Sequence, residues 1–366
     1  MATIPDLVDE MGARRVAVVT SPSVGALEAV RRTVDALGAR VVLVDTTTTP
    51  HPTADGAAEL SREVAGSRAE AVIGIGGGSS VDRAKLGALG APHGVRTARD
   101  MLARCVTYAY PDDVVVPELS AEPLPLIAVP TTLSAAEWNG AAGLVDATTD
   151  IKRLVTHLEL TPRHVVLDPA LAATTPDRLW ATTGARAIDH AIESLLSARS
   201  IDITDALSTG ALRQLARWLP ASLANRHDLD ARLRCQWAAG MSIVGVHNVS
   251  LGLSHAIGHQ LGARGVPHGV TSCITLPHVI EFLAPATADT QEEIRAALGV
   301  PGAPSAAAAV DVLLRDMGVR TRIRDVGIAR SELPAIAAAT MGDQTVGVSP
   351  RRVTEADVLA ILHEAW

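Results

Sequence analysis

Residues 70–90 read EAVIGIGGGSSVDRAKLGALG, a short apolar run that passes through three glycines into a segment of helical spacing. The apolar run has the length and composition of a strand buried on both faces. Gly76, Gly77 and Gly78 let the backbone approach an anion closely. A helix starting just after them would offer that anion free N–H groups and the positive end of its dipole. The unit predicts pyrophosphate binding, with Gly77, Gly78, Ser79 and Asp82 as candidate contacts. A plain tight turn is the alternative. The stretch lacks GxxxxGK[ST], and the first strand-to-helix turn, TSPSVGA, lacks GxGxxG.

Outward from this stretch the same alternation repeats. RVAVVT (15–20), RVVLVD (40–45) and PLIAVPTTLS (125–134) read as further strands. SPSVGALEAVRRTVDALG and TADGAAELSREVAGSRA read as the helices between them. Short apolar runs alternating with helices predict a parallel sheet covered on both faces. A dinucleotide can lie across the carboxyl ends of such strands. Asp45, ending the second strand, either accepts from an adenosine ribose hydroxyl, which favours NAD, or is a loop acid. The small threonines after it leave room for a phosphate, so NADH and NADPH both remain open. Thr131 and Thr132 end another strand and are candidate donors to cofactor or substrate.

From about Thr161 strand-like runs become rare and Ala- and Leu-rich helical segments take over, with the change near VVLDPAL. The expected architecture is an α/β dinucleotide-binding domain with a parallel sheet over residues 1–162, followed by an all-helical domain over 163–366. A chain of 366 residues fits two cores better than one. Its formal net charge of -8 argues against nucleic acid, whose phosphates call for a basic surface. Three scattered cysteines suggest no disulfide framework. With no signal-length apolar start and no membrane-type run of 18 residues, the expected location is the cytoplasm, without membrane contact.

The helical half carries the chemistry. His190 lies in GARAIDHAIE, His255 and His259 in GLSHAIGHQLG, and His268 in GVPHGVT. Histidines at i and i+4 share a helix face, and the four together suggest a metal or acid–base site; a polar seam in a helical core is the alternative. Four residues before His190, where a carboxylate ligand would complete the set, stands Arg186. A guanidinium there opposes a divalent cation. Asp189 is turned about 100° round the helix from His190 and is no simple substitute. Glu193 could orient His190 or lie on the surface. These residues predict no metal, with Arg186 holding a substrate carboxylate and the histidines handling a proton.

GGGSSVDRAK, PTTLSAAEW, DHAIE and SHAIGHQLGARGVPHG together resemble the iron-containing (group III) alcohol dehydrogenases, over nearly the whole chain. The resemblance implies the dehydroquinate synthase-like two-domain fold, NADH or NADPH as cofactor, and a homodimer. It maps three metal-binding histidines to His190, His255 and His268, an aspartate ligand to Arg186, and a histidine beside the nicotinamide to His259. The missing aspartate, the shorter PTT loop and the HPTADG and SPRRVT stretches resemble the maleylacetate reductase branch. That branch uses NADH or NADPH without a metal to reduce the carbon–carbon double bond of maleylacetate, a small dianionic oxo acid, in the breakdown of aromatic compounds. PTTLSAAEW departs from that branch's usual PTTYAGSEM.

Overall fold

The computed structural model describes residues 1–49, 52–109, 113–149 and 151–366. Of HPTADG, His51 lies outside the described residues. Among these residues the strands are β1 (Val16–Thr20), β2 (Val41–Asp45), β3 (Ala71–Gly76), β4 (Thr107–Ala109), β5 (Asp113–Val115), β6 (Leu126–Pro130), β7 (Ala141–Asp146), β8 (Ile151–Thr156) and β9 (His164–Val165). Five form one sheet in the order β2-β1-β3-β6-β9, and its paired neighbours run parallel. The expected parallel-sheet domain and helical domain are both present.

Strand periodicity explains the two covered faces. On one face Val16, Val18, Ile73, Ile75, Ile127 and Val129 pack with Ile4, Val8, Val30 and Leu37 of flanking helices. On the other face Ala17, Val19, Val72 and Leu126 pack with Leu60, Val64, Ala84 and Ala88, from the helices Ala54–Ser67 and Gly78–Gly90. The central strands β1, β3 and β6 are therefore buried throughout and almost wholly apolar, which is why the sequence reveals them.

The antiparallel pair β7–β8 is an addition to the sequence reading. Strand β8 (IKRLVT) is mostly half-buried or exposed, so its pattern is weak. Lys85 supports the turn that leads into β7, giving Nζ to the carbonyls of Ala136 (2.6 Å), Asn139 (2.7 Å) and Ala141 (2.8 Å).

The chain forms two compact units, 1–107 with 115–174, and 108–114 with 175–366. Apart from 108–114, the second unit runs from Thr175, and 163–174 stays with the first because it carries β9 and Asp168, whose carboxylate takes the Met1 ammonium at 3.0 Å. In this second unit the helix Asp177–Leu196 is buried along its whole length from Trp180 to Leu196. It packs against Asp202–Ala224, Leu229–Ile243, Leu253–Ala263 and His268–Leu283. Cys105, Cys235 and Cys273 are buried free thiols, pushed up by burial to about 11, 12 and 12. Among the described residues no helix is long and apolar enough to cross a membrane.

Candidate active site

In the first unit, β3 ends at Gly76 with φ +144°, a conformation open to glycine. Gly77 then caps the helix Gly78–Gly90. A Cβ on Gly78 would lie 2.8 Å from Ser134 Oγ, and one on Gly77 3.2 Å from Thr132 Cγ2. The glycine loop and the PTTLS turn thus lie close together, joined also by the Thr131 N–H to Gly76 carbonyl bond of 2.8 Å. The helix start leaves main-chain N–H groups of its first turn for an anion. Ala135 holds φ +61° in this turn while fully buried. Only a glycine takes that conformation without strain.

Asp82, a candidate contact, turns to β7, where its Oδ2 accepts from the Gly143 N–H at 3.2 Å. Burial pushes its carboxyl up. Asp45 is buried in an ion pair with Arg83, whose Nε stands 2.6 Å from Oδ2. The sequence reading missed Arg83, although it lies one helical residue after Asp82.

In the second unit the structure gathers His190, His255, His259 and His268. The His190 and His255 rings stack at 5.1 Å between centroids. His259 meets His255 edge-on at 6.4 Å and His268 edge-on at 6.3 Å. Burial and the nearby Arg186 charge hold His190 and His255 well below the ordinary imidazole range, so both rings are neutral.

Glu193 orients His255 rather than His190, and it is buried rather than superficial. Its Oε2 lies 2.5 Å from His255 Nδ1 and accepts from the Gly252 N–H at 2.8 Å, while Oε1 accepts from Ser254 N–H at 2.5 Å. Burial and the Asp189 charge raise its carboxyl well above the usual range, against the pull of those main-chain donors. A proton held on His255 Nδ1 leaves Nε2, buried and without a hydrogen-bond partner, as a lone pair.

His259 has a partner that sequence reasoning did not find. Asp343 Oδ2 stands 2.7 Å from its Nδ1. Asp343 Oδ1 accepts from the Thr345 N–H and hydroxyl. Burial pushes the Asp343 carboxyl up, but His259 and Thr345 outweigh it and hold it below its ordinary value. Eighty-four positions separate Asp343 from His259, so no spacing rule links them.

Arg186 is 9% exposed. It gives Nη1 to Ser272 Oγ at 3.2 Å and stands 3.8 Å from Asp189 Oδ2. Asp189 also accepts from Ser254 Oγ (3.0 Å) and Ser272 Oγ (2.6 Å). Burial raises its carboxyl, opposed by Arg186.

The expectation that no metal binds is corrected here. Asp189, Glu193 and His255 bring ligand atoms within 4.8 Å of one another, all three residues buried. The sequence reading measured Asp189 against His190, its neighbour on the helix. Its partner is Glu193, at i+4 on the same face. Two carboxylates and an imidazole form a donor set suited to zinc or iron(II). The unpartnered His255 Nε2 and His190 Nδ1 add buried nitrogen atoms beside it.

Comparison with known proteins agrees with this fold. Residues 1–169 match the model "Iron-containing alcohol dehydrogenase", and residues 180–366 match "Fe-containing alcohol dehydrogenase family, C-terminal". The chain belongs to the iron-containing alcohol dehydrogenase family. It is an NAD(P)H-dependent oxidoreductase of that family, acting on small carbonyl or alcohol substrates. It is 32% identical to dehydrogenase ALT3 of Alternaria alternata, across 97% of this chain and 99% of the relative. It is 30% identical to lactaldehyde reductase of Escherichia coli (strain K12), across 100% and 96%. Among solved structures it is similar to a 1,3-propanediol oxidoreductase, with a TM-score of 0.90, 25% identity and coverage of 100% and 95%. The maleylacetate reductase of Rhizobium sp. strain MTP-10005 shares the fold, with a TM-score of 0.82 at 21% identity across 100% and 93%.

Proposed function

We propose that this chain reduces an activated double bond in a small oxo acid, with maleylacetate the first substrate to test. The observation that carries the reading is Arg186, a nearly buried guanidinium beside His190 and His255. A cation in that place rewards a substrate carboxylate and gives nothing to a simple alcohol. The dinucleotide, with its pyrophosphate on the N–H groups of Gly77, Gly78 and Ser79 and with Thr131 and Thr132 nearby, supplies hydride when bound.

The substrate ketone draws electrons, so the alkene carbon β to it accepts hydride, and negative charge develops on the ketone oxygen. His259, oriented by Asp343 and partly open to solvent, donates a proton to the resulting enolate. His190 and His255, held neutral, line the site beside Arg186 without adding charge that would compete for the carboxylate. His268 meets His259 edge-on. A divalent cation held by Asp189, Glu193 and His255 would supply a Lewis acid.

The second reading is a metal-dependent alcohol or aldehyde oxidoreductase. It is favoured by the Asp189–Glu193–His255 donors and by the similarity to lactaldehyde reductase. Steady-state kinetics of the wild type and Arg186→Ala with maleylacetate and with lactaldehyde separate the two. Each is run with added iron(II) or zinc and after chelation, alongside metal analysis of the purified protein. The expected result is preference for maleylacetate, and a loss of about 2–5 kcal/mol of transition-state stabilisation with that substrate in Arg186→Ala. Efficient aldehyde turnover without maleylacetate turnover, or an unchanged acid activity in the variant, would overturn the first reading.

A further inference from the structure

We infer that Arg83 removes Asp45 from the choice between cofactors, so that this chain binds NADPH about as readily as NADH. The inference rests on a dinucleotide lying on the glycine loop. In parallel sheets the ligand lies outside the carboxyl ends of the strands, where an acid can accept from the ribose 2′-hydroxyl of NADH and repel the 2′-phosphate of NADPH. Asp45 holds that place as the last residue of β2, which pairs with β1 and so lies two strands from β3 and its loop, with β1 between.

Its carboxylate is already committed. Oδ2 accepts from Arg83 Nε at 2.6 Å. Oδ1 accepts from the Thr47 N–H at 2.9 Å and the Thr47 hydroxyl at 2.6 Å. Arg83 closes the ring, giving Nη2 to Thr47 Oγ1 at 2.8 Å, and anchors it through Nη1 to the Gly56 carbonyl at 3.0 Å. Asp45 is 4% exposed and Arg83 5%. The ring carries no net charge, so a 2′-phosphate meets little repulsion there, and bonds already made to both carboxylate oxygens leave a poor acceptor for the 2′-hydroxyl of NADH.

The residues around the acid are small threonines rather than further acids. Thr20, ending β1, and Thr48, three residues beyond Asp45, are both buried, and their hydroxyls have no hydrogen-bond partner. Thr20 and Thr46 also flank Gly25, where an added Cβ would lie 3.0 and 3.3 Å from their methyl groups. Small hydroxyl side chains thus line the end of the sheet beside the neutralised acid.

Fluorescence titration of the full chain with NADH and with NADPH tests this without any substrate. Wild-type dissociation constants should agree within about tenfold, and Arg83→Met, by unmasking Asp45, should weaken NADPH relative to NADH by about a hundredfold, since bringing like charges together costs several kcal/mol. Asp45→Asn keeps the shape and serves if the arginine variant does not fold; it should weaken NADH by no more than about threefold, as no ribose bond is lost. A wild type that prefers NADH a hundredfold, an Arg83→Met variant with an unchanged ratio, or a tenfold loss of NADH affinity in Asp45→Asn would each overturn the inference. Binding of neither dinucleotide would overturn the phosphate-loop reading and the inference with it.

Discussion

Glu137 is a carboxylate in surroundings that call for a neutral group. It is 1% exposed, and its Oε2 has no hydrogen-bond partner. The Lys85 ammonium nearby is spent on three carbonyls. Burial pushes Glu137 up to about 7, and burial brings Lys85 down to about 8. A raised carboxyl binds its proton more tightly in the folded chain than in the unfolded one. Its contribution to stability is therefore complete below the ordinary value of 4.5 and is lost as pH rises through about 7. Glu137→Gln removes that loss. Urea unfolding at pH 5 and pH 8 should show the variant gaining on the wild type by roughly 3 kcal/mol across the interval. A difference independent of pH would refute the argument. The sequence offers no sign of this residue's state: AAEW reads as a loop, where a glutamate is ordinarily solvated. Arg186 was legible because it stands in register with His190 on one helix. Asp343 was not, because the fold alone brings it to His259.

The helix Leu253–Ala263, which carries His255 and His259, has no side-chain cap of its own at Gly252. Glu193 supplies one from a different helix, taking the N–H groups of Gly252 and Ser254 and, at 3.4 Å, His255. One carboxylate thus starts the helix and fixes the ring that the helix presents. Glu193→Ala should cost about 2–4 kcal/mol in denaturant unfolding, because buried donors lose their acceptor. A cost below about 1 kcal/mol would mean that water or the helix itself satisfies them. The strands β1, β3 and β6 were readable because burial on both faces leaves an unbroken apolar run. The pair β7–β8 was not. Strand β7 (AAGLVD) is rich in small residues, and β8 (IKRLVT) is mostly half-buried with lysine and arginine interspersed, so neither shows a clear strand period.

At the scale of the whole chain, the change from strand–helix alternation to helix alone was visible in composition. Where one core ends and the next begins was not. Residues 163–174 carry a two-residue strand and a capping aspartate that bind them to the first core, features too short to leave a period. The three thiols have a consequence for that organisation. Cys105 is sealed in one core, and Cys235 and Cys273 in the other. None is a nucleophile at neutral pH while its core stays closed. Each therefore serves as a built-in reporter of opening. A thiol-specific dye should label none of the three in the native protein and all three in denaturant. At intermediate denaturant, peptide mapping of the label should date the opening of each core separately. Simultaneous labelling of all three would mean that the chain melts as one cooperative body; labelling of Cys105 apart from the other pair would mean that its two halves keep separate clocks.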